Sequence, residues 1–287
     1  MVLFAGLLAA LRGGGAIVEF ASAPVAGSAR YKAARGRRVA PLGAYDHLVV
    51  VAGHSVTMAE SLDGVEAEES AWFLLDYQVA HGLPGEFVAH ARRGVDVAAA
   101  DDRALLVFSG GQTRAAAGPR SEAQSYWLIA EHFGWWGSAA VASRATTEES
   151  ARDSYENLLF SILRFREFAG AYPARITVVS FDFKERRFVE LHAPALRWPA
   201  HALSYEGVAP GPRFDGAAAA AGEAAAVAAF EADPYGCGGA LAAKRAARDP
   251  FHRTPPYAVS NPDARALLAH CGPGLIADAP WAPRRDR

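Results

Sequence analysis

The chain has 287 residues, 51% of them hydrophobic, enough to bury one substantial core with appendages. A formal net charge of -2 gives no global attraction to nucleic acid or to an acidic membrane surface, so no nucleic-acid partner is expected and any basic site has to be local. Cys237 and Cys271 are the only cysteines and show neither CxxC nor histidine spacing, which disfavours a disulfide framework and a zinc site and makes a reducing, cytoplasmic setting the default.

Residues 1–44 contain Arg12, Arg30, Lys32, Arg35, Arg37 and Arg38 but a single acid, Glu19. That asymmetry reads as a leader or a solvated arm. Its Arg-rich, acid-poor tract also resembles an organelle transit peptide, the alternative to a cytoplasmic location. No segment reaches transmembrane length, so no stable membrane span is expected.

Beyond the leader, short apolar runs alternate with longer amphipathic ones. "HLVVVA" (47–52), "ALLVFS" (104–109), "SAAVAS" (138–143) and "RITVVS" (175–180) have strand length, and residues 66–80, 84–100, 121–133 and 148–169 have helical patterning. The alternation predicts right-handed crossovers and an α/β fold over residues 45–210: a three-layer, Rossmann-like parallel sheet with helices on both faces. From 211 to 287 the Gly-, Pro- and Ala-rich chain predicts a mainly helical extension packed on the core, with helices near 217–231, 238–247 and 262–270.

Each predicted strand runs into a polar or glycine-rich segment, and in such folds ligands bind in the crevice outside the carboxyl ends of the strands. After the second strand, Ser109, Gly110, Gly111 and Gln112 suggest a loop whose glycines approach an anion and offer it backbone N–H groups. Ser121 then opens a helix with the form of a capping box, flanked by Arg114 and Arg120. An ordinary tight connection with arginines facing water is the competing structural reading. No Walker lysine follows, and GxGxxG is absent.

The segment "TTEESARDSYEN" (146–157) is dense in carboxylates. Either Thr146 and Glu149 form a capping box with Arg152 paired to Glu149 and Glu156, or Glu149, Asp153 and Asn157 share one stripe of a helix facing the site. Glu149 is the leading candidate acid/base and Glu122 the second. His54, after Gly53 at the end of the first strand, is a possible partner. Ser180 and Lys184 follow the fourth strand, where one cation of Lys184, Arg186 and Arg187 can reach the site. His47 reads as structural. Glu122, Glu149 and Asp153 are able to hold Mg²⁺ through oxygen, although no spacing demands a metal, and no cofactor is specified.

The ordered set formed by Gly53-His54, "SGG" at 109–111, "SEA" at 121–123, and an acid followed by "SYEN" at 154–157 resembles the YdcF/SanA/ElyC-like family, from about Tyr45 to Ser204. "DSYENLLFS", "FDFKERRF" and "DPYGC" resemble its soluble eukaryotic branch. The resemblance implies a Rossmann-like fold of uncharacterised function, cell-envelope roles in bacterial members, and a nucleotide-like ligand such as S-adenosylmethionine. Bacterial members carry a histidine shortly after the fourth strand; Phe183 stands there in this chain, with Arg186 three residues on. Together these readings favour a hydrolase or transferase acting on a phosphate-containing or nucleotide-like small molecule. A non-catalytic metabolite-binding module is the alternative, and the oligomeric state is left open.

Overall fold

The computed structural model describes residues 43–282. Apart from Gly43 and Ala44, the expected leader lies outside the described residues. Five strands, β1 (His47–Ala52), β2 (Ala104–Ser109), β3 (Ala145–Glu148), β4 (Arg175–Phe181) and β5 (Leu203–Val208), form a parallel sheet in the order β3-β2-β1-β4-β5. The longer helices are α1 (Leu83–Ala99), α2 (Glu122–His132), α3 (Ser154–Ala169), α4 (Gly216–Ala232) and α5 (Gly239–Ala247). The fold is the expected three-layer α/β type with a helical C-terminal region.

Successive side chains of a strand point to opposite faces, and β1 is buried on both. Leu48 and Val50 join one apolar cluster with Leu158, Ile162 and Phe165 of α3, Phe230 of α4 and Leu241 of α5. Val49 and Val51 join the other, with Phe87 and Val95 of α1 and Tyr126 and Ile129 of α2. The C-terminal helices therefore bury apolar groups in the same cluster as α3. Successive crossovers run outward from β1 first toward β3 and then toward β5, so the sheet has its switch point between β1 and β4, where the carboxyl ends diverge.

The chain departs from the sequence expectation at several elements. Residues 138–143 hold a helical turn, Ala139–Ala142, and the strand follows at Ala145–Glu148, where β-branched Thr146 and Thr147 replace the alanines. No long helix occupies 66–80. A two-residue pairing of Val56–Thr57 with Trp72–Phe73 stands there among short turns, and the Trp72 indole donates to the Val65 carbonyl at 2.9 Å.

Helix α3 starts at Ser154 rather than 148, because Asp153 caps it by accepting from the Glu156 N–H at 2.9 Å. The half-exposed edge strand β5 carries too little apolar pattern to be foreseen. Residues 262–270 break into the short turns Pro262–Ala264 and Arg265–Leu268.

The cysteines also differ from expectation: Cys237 and Cys271 form a disulfide with Cα atoms 5.7 Å apart. The extension brings them together around Tyr235, whose ring lies edge-on to His270 at 4.6 Å and whose hydroxyl accepts from the Ile276 N–H at 2.8 Å. A 34-residue separation carries no pairing signature in sequence. The disulfide removes the reason to expect a reducing compartment. Among the described residues, no helix is long and apolar enough to cross a membrane.

Candidate functional site

A cavity of about 1130 Å³ opens at the switch point. Of the residues singled out in sequence, Gly53, His54, Glu122, Asp153, Asn157, Ser180 and Lys184 line it. Ser109, Gly110, Gly111, Gln112, Arg120, Ser121 and Glu149 are not among its lining residues.

The glycine loop makes room for a side chain rather than for an anion. A Cβ at Gly53 or at Gly110 would each stand 2.7 Å from the Cβ of Glu122, and Gly110 has φ +153°. A Cβ at Gly111 would stand 2.7 Å from the Ala151 carbonyl oxygen. Among glycines with positive φ, Gly110 appears and Gly111 does not. The N–H groups an anion would need are already engaged: Gly110 donates to the Glu148 carbonyl at 3.0 Å and Gly111 to that of Ala151 at 2.7 Å. The expected backbone cradle is therefore a tightly packed turn.

Neighbouring residues have structural work. Ser121 caps α2 by accepting from the Gln124 N–H at 2.9 Å, and Gln112 donates to the Pro119 carbonyl at 3.1 Å. Arg120 is exposed and reaches Met58 Sδ at 3.4 Å. Glu149 lies outside α3 and accepts from Thr147 Oγ1 at 2.9 Å, so the expected stripe of Glu149, Asp153 and Asn157 does not form. Thr146 sits in β3 and accepts from Arg164 at 3.2 Å instead of capping a helix with Glu149. Arg152 pairs with Glu156, as one reading expected, at 2.6 Å.

The acid that faces inward is Glu148, the strand residue before Glu149. Its carboxylate accepts from Ser109 Oγ at 2.9 Å, the Ser150 N–H at 2.7 Å and Tyr257 Oη at 3.0 Å. Burial pushes its pKa up to about 7 against those hydrogen bonds. Ser109 Oγ also lies 3.0 Å from Asn157 Oδ1, linking this buried network to a residue that lines the cavity. Strand alternation, with Thr147 facing out and Glu148 in, was the available signal.

Glu122 is 7% exposed, and its Oε1 accepts from Thr113 Oγ1 at 2.5 Å. His54 follows Gly53, which packs against Glu122, and is itself held by several partners. Its Nε2 lies 3.2 Å from Ser180 Oγ and its Nδ1 3.3 Å from Lys184 Nζ, while its ring stacks on Phe181 at 4.8 Å. Burial, and then the Lys184 charge, hold its pKa well below the usual histidine range, so the imidazole is neutral. Lys184 is itself lowered to about 7, by burial and then by the charge of Arg187.

Sequence reasoning missed the cations that the extension supplies. Lys244 of α5 and Arg248 just past it line the cavity with Lys184, Arg187 and Arg114. Arg187 is paired with Glu223 of α4 at 2.8 Å. Arg248 donates to the Arg152 carbonyl at 2.9 Å. Among the described residues, Arg114, Lys184, Lys244 and Arg248 have no ion pair, and the buried Arg114 has no side-chain hydrogen bond. Phe181, Phe183 and Phe214 stack beside Lys184, whose Nζ lies 5.1 Å from the Phe181 ring and 5.7 Å from the Phe183 ring; the Phe181 and Phe183 rings are 5.2 Å and the Phe183 and Phe214 rings 5.5 Å apart.

Among the described residues, no group of three or more His, Cys, Asp or Glu side chains is placed to hold a metal ion. Glu122, Glu149 and Asp153 do not gather: Glu149 stands outside the cavity and Asp153 is paired with Arg245 at 2.5 Å. What the site offers is positive charge beside an aromatic wall.

Compared with known proteins, the chain is 29% identical over 231 residues to uncharacterized protein YOR238W of Saccharomyces cerevisiae, an alignment covering 65% of this chain and 76% of the yeast protein. No protein-family model matches the chain. No solved structure matches it.

Proposed function

We propose that the chain binds a phosphate-containing or nucleotide-like small molecule in the cavity at the carboxyl edge of the sheet and acts on it as a hydrolase or transferase. The observation that carries this reading is the set of cations without an ion pair, Arg114, Lys184, Lys244 and Arg248, among the residues that line the cavity. The buried Nε of Arg114 has no hydrogen-bond partner, and a phosphate oxygen is a suited acceptor for it. Charge placed where negative charge develops on a transferring group is the largest common source of rate enhancement. Membership of the YdcF-like family, which rests on the ordered motifs, belongs to the same proposal.

The chain's own groups then have distinct roles. Arg114 and Arg248 hold anionic oxygens. Glu122 takes a proton from the attacking group. Lys184, lowered to about 7, gives a proton to the leaving group near neutral pH. Both ring nitrogens of His54 are already engaged, so His54 positions Lys184 rather than reacting.

A metabolite-binding module without turnover is the second reading, favoured by Glu149 standing outside the cavity. Single-turnover assays of a phosphoester and nucleotide panel separate the two. For the enzyme, turnover is expected with at least one member and is lost in Glu122→Gln with binding retained. Binding without turnover across the panel identifies the module, and the absence of any phosphate-dependent binding rejects both.

A further inference from the structure

The charges around the cavity do not balance. Its walls carry Arg114, Arg152, Lys184, Arg187, Lys244 and Arg248 against Glu122, Asp153, Asp215 and Glu223. Arg187 is matched by Glu223, and Arg152 by Glu156 and Asp249. Asp153 is taken up by Arg245, which does not line the cavity. Glu122 and the exposed Asp215 are left to face Arg114, Lys184, Lys244 and Arg248. Asp215 caps α4, accepting from the N–H groups of Ala217 and Ala218. Four cations against two carboxylates leave an excess of two positive charges, twice what one phosphate monoanion carries.

The cations come from separate elements: Arg114 from the segment after β2, Lys184 from the turn after β4, and Lys244 and Arg248 from α5 and its end. Arg248 acts electrostatically on Arg114, Lys184 and Arg187, adding to the burial that already loosens each of their protons. A ligand that satisfies them together has to present more than one anionic group to cations held by separate elements.

We propose that the anionic part of the ligand is a chain of two or more linked phosphates, lying between Arg114 and the Lys244 to Arg248 end of α5. This inference rests on the phosphate reading above. It makes the C-terminal extension part of the recognition site, since the sheet domain contributes only Arg114 and Lys184 to the four cations without an ion pair. The aromatic wall of Phe181, Phe183 and Phe214 then flanks the phosphates and is left for whatever organic group they carry.

Calorimetric titration of the full chain with orthophosphate, pyrophosphate and tripolyphosphate at fixed ionic strength tests it. Affinity is expected to rise about tenfold for each added phosphate as further cations are engaged. Tripolyphosphate should show the steepest loss with salt. Arg248→Gln and Lys244→Gln should each flatten the ladder, the second at an exposed position that carries little folding risk. Arg120→Gln, a cation outside the cavity, should leave the ladder as in the parent.

Equal binding of orthophosphate and tripolyphosphate would overturn the polyphosphate chain and leave the phosphate reading standing. No binding of any of the three would overturn both. If Arg120→Gln weakens tripolyphosphate as much as Arg248→Gln, the anion sits on the outer surface, which also overturns the proposal.

Discussion

Glu122 and Gly110 compete for one volume: a Cβ at Gly110 would stand 2.7 Å from the Cβ of Glu122 and 2.8 Å from its Oε2. The glycine exists because a carboxylate-bearing helix start packs against the end of β2. Gly110→Ala is therefore expected to cost about 1–3 kcal/mol through overpacking and an unfavourable φ. It should also displace Glu122 and reduce turnover more than ligand affinity. Urea unfolding together with phosphate titration checks this; a variant as stable and active as the parent would show that the loop yields freely.

The layers of this fold were legible because burial on both faces of β1, β2 and β4 forces continuous apolar runs that no loop shares. The site was half legible. Gly53, His54, Ser180 and Lys184 lie at or just past strand ends, and topology brings strand ends together. Lys244 and Arg248 gave no such signal: they sit in an alanine-rich helix far along the chain, and their role depends on how the extension folds back. The stripe of Glu149, Asp153 and Asn157 presumes a helix that includes residue 149, whereas Asp153 sets the start at Ser154. Gly110 and Gly111 were read as anion donors because sequence cannot tell an N–H free for a ligand from one bonded to a neighbouring carbonyl.

The extension is fastened to the sheet domain by the ion pair of Arg245 with Asp153, 2.5 Å apart, with side chains 13% and 6% exposed. Asp153 is also the cap of α3, so one carboxylate serves both elements. Breaking a buried pair from one side leaves an uncompensated charge. Arg245→Ala is expected to cost about 3–5 kcal/mol. Asp153→Asn should cost less, because asparagine keeps the cap and removes the charge. A double-mutant cycle from urea midpoints reads the coupling, and additive losses would mean that the pair does not tie the two elements.

Glu148 sets one pH dependence. Its folded pKa is raised from 4.5 to about 7 by burial, so the folded chain holds this proton more tightly than the unfolded chain. The contribution to stability is full below the unfolded value and is lost as pH rises from about 4.5 to 7, by about 3 kcal/mol in total. Glu148→Gln removes that slope. The difference in unfolding free energy, variant minus parent, should therefore become more favourable to the variant between pH 5 and 8. A difference that does not change with pH would mean that Glu148 titrates normally.

His90 works in the opposite direction. Its ring is fully buried on α1 against His54 and Phe181, neither nitrogen has a hydrogen-bond partner among the described residues, and burial lowers its pKa from 6.5 to about 3. The folded chain keeps this imidazole neutral, while the unfolded chain protonates it below 6.5. Its contribution is thus present above the unfolded value and is lost as pH falls through the window from 6.5 toward 3. His90→Phe fills a similar volume without a titrating group. It should narrow the stability loss of the parent between pH 7.5 and 5 and have a smaller effect at pH 7.5. Urea midpoints of both chains at the two pH values decide the matter: parallel shifts in the two would mean that His90 takes up its proton in the folded state, by opening the layer between α1 and β4.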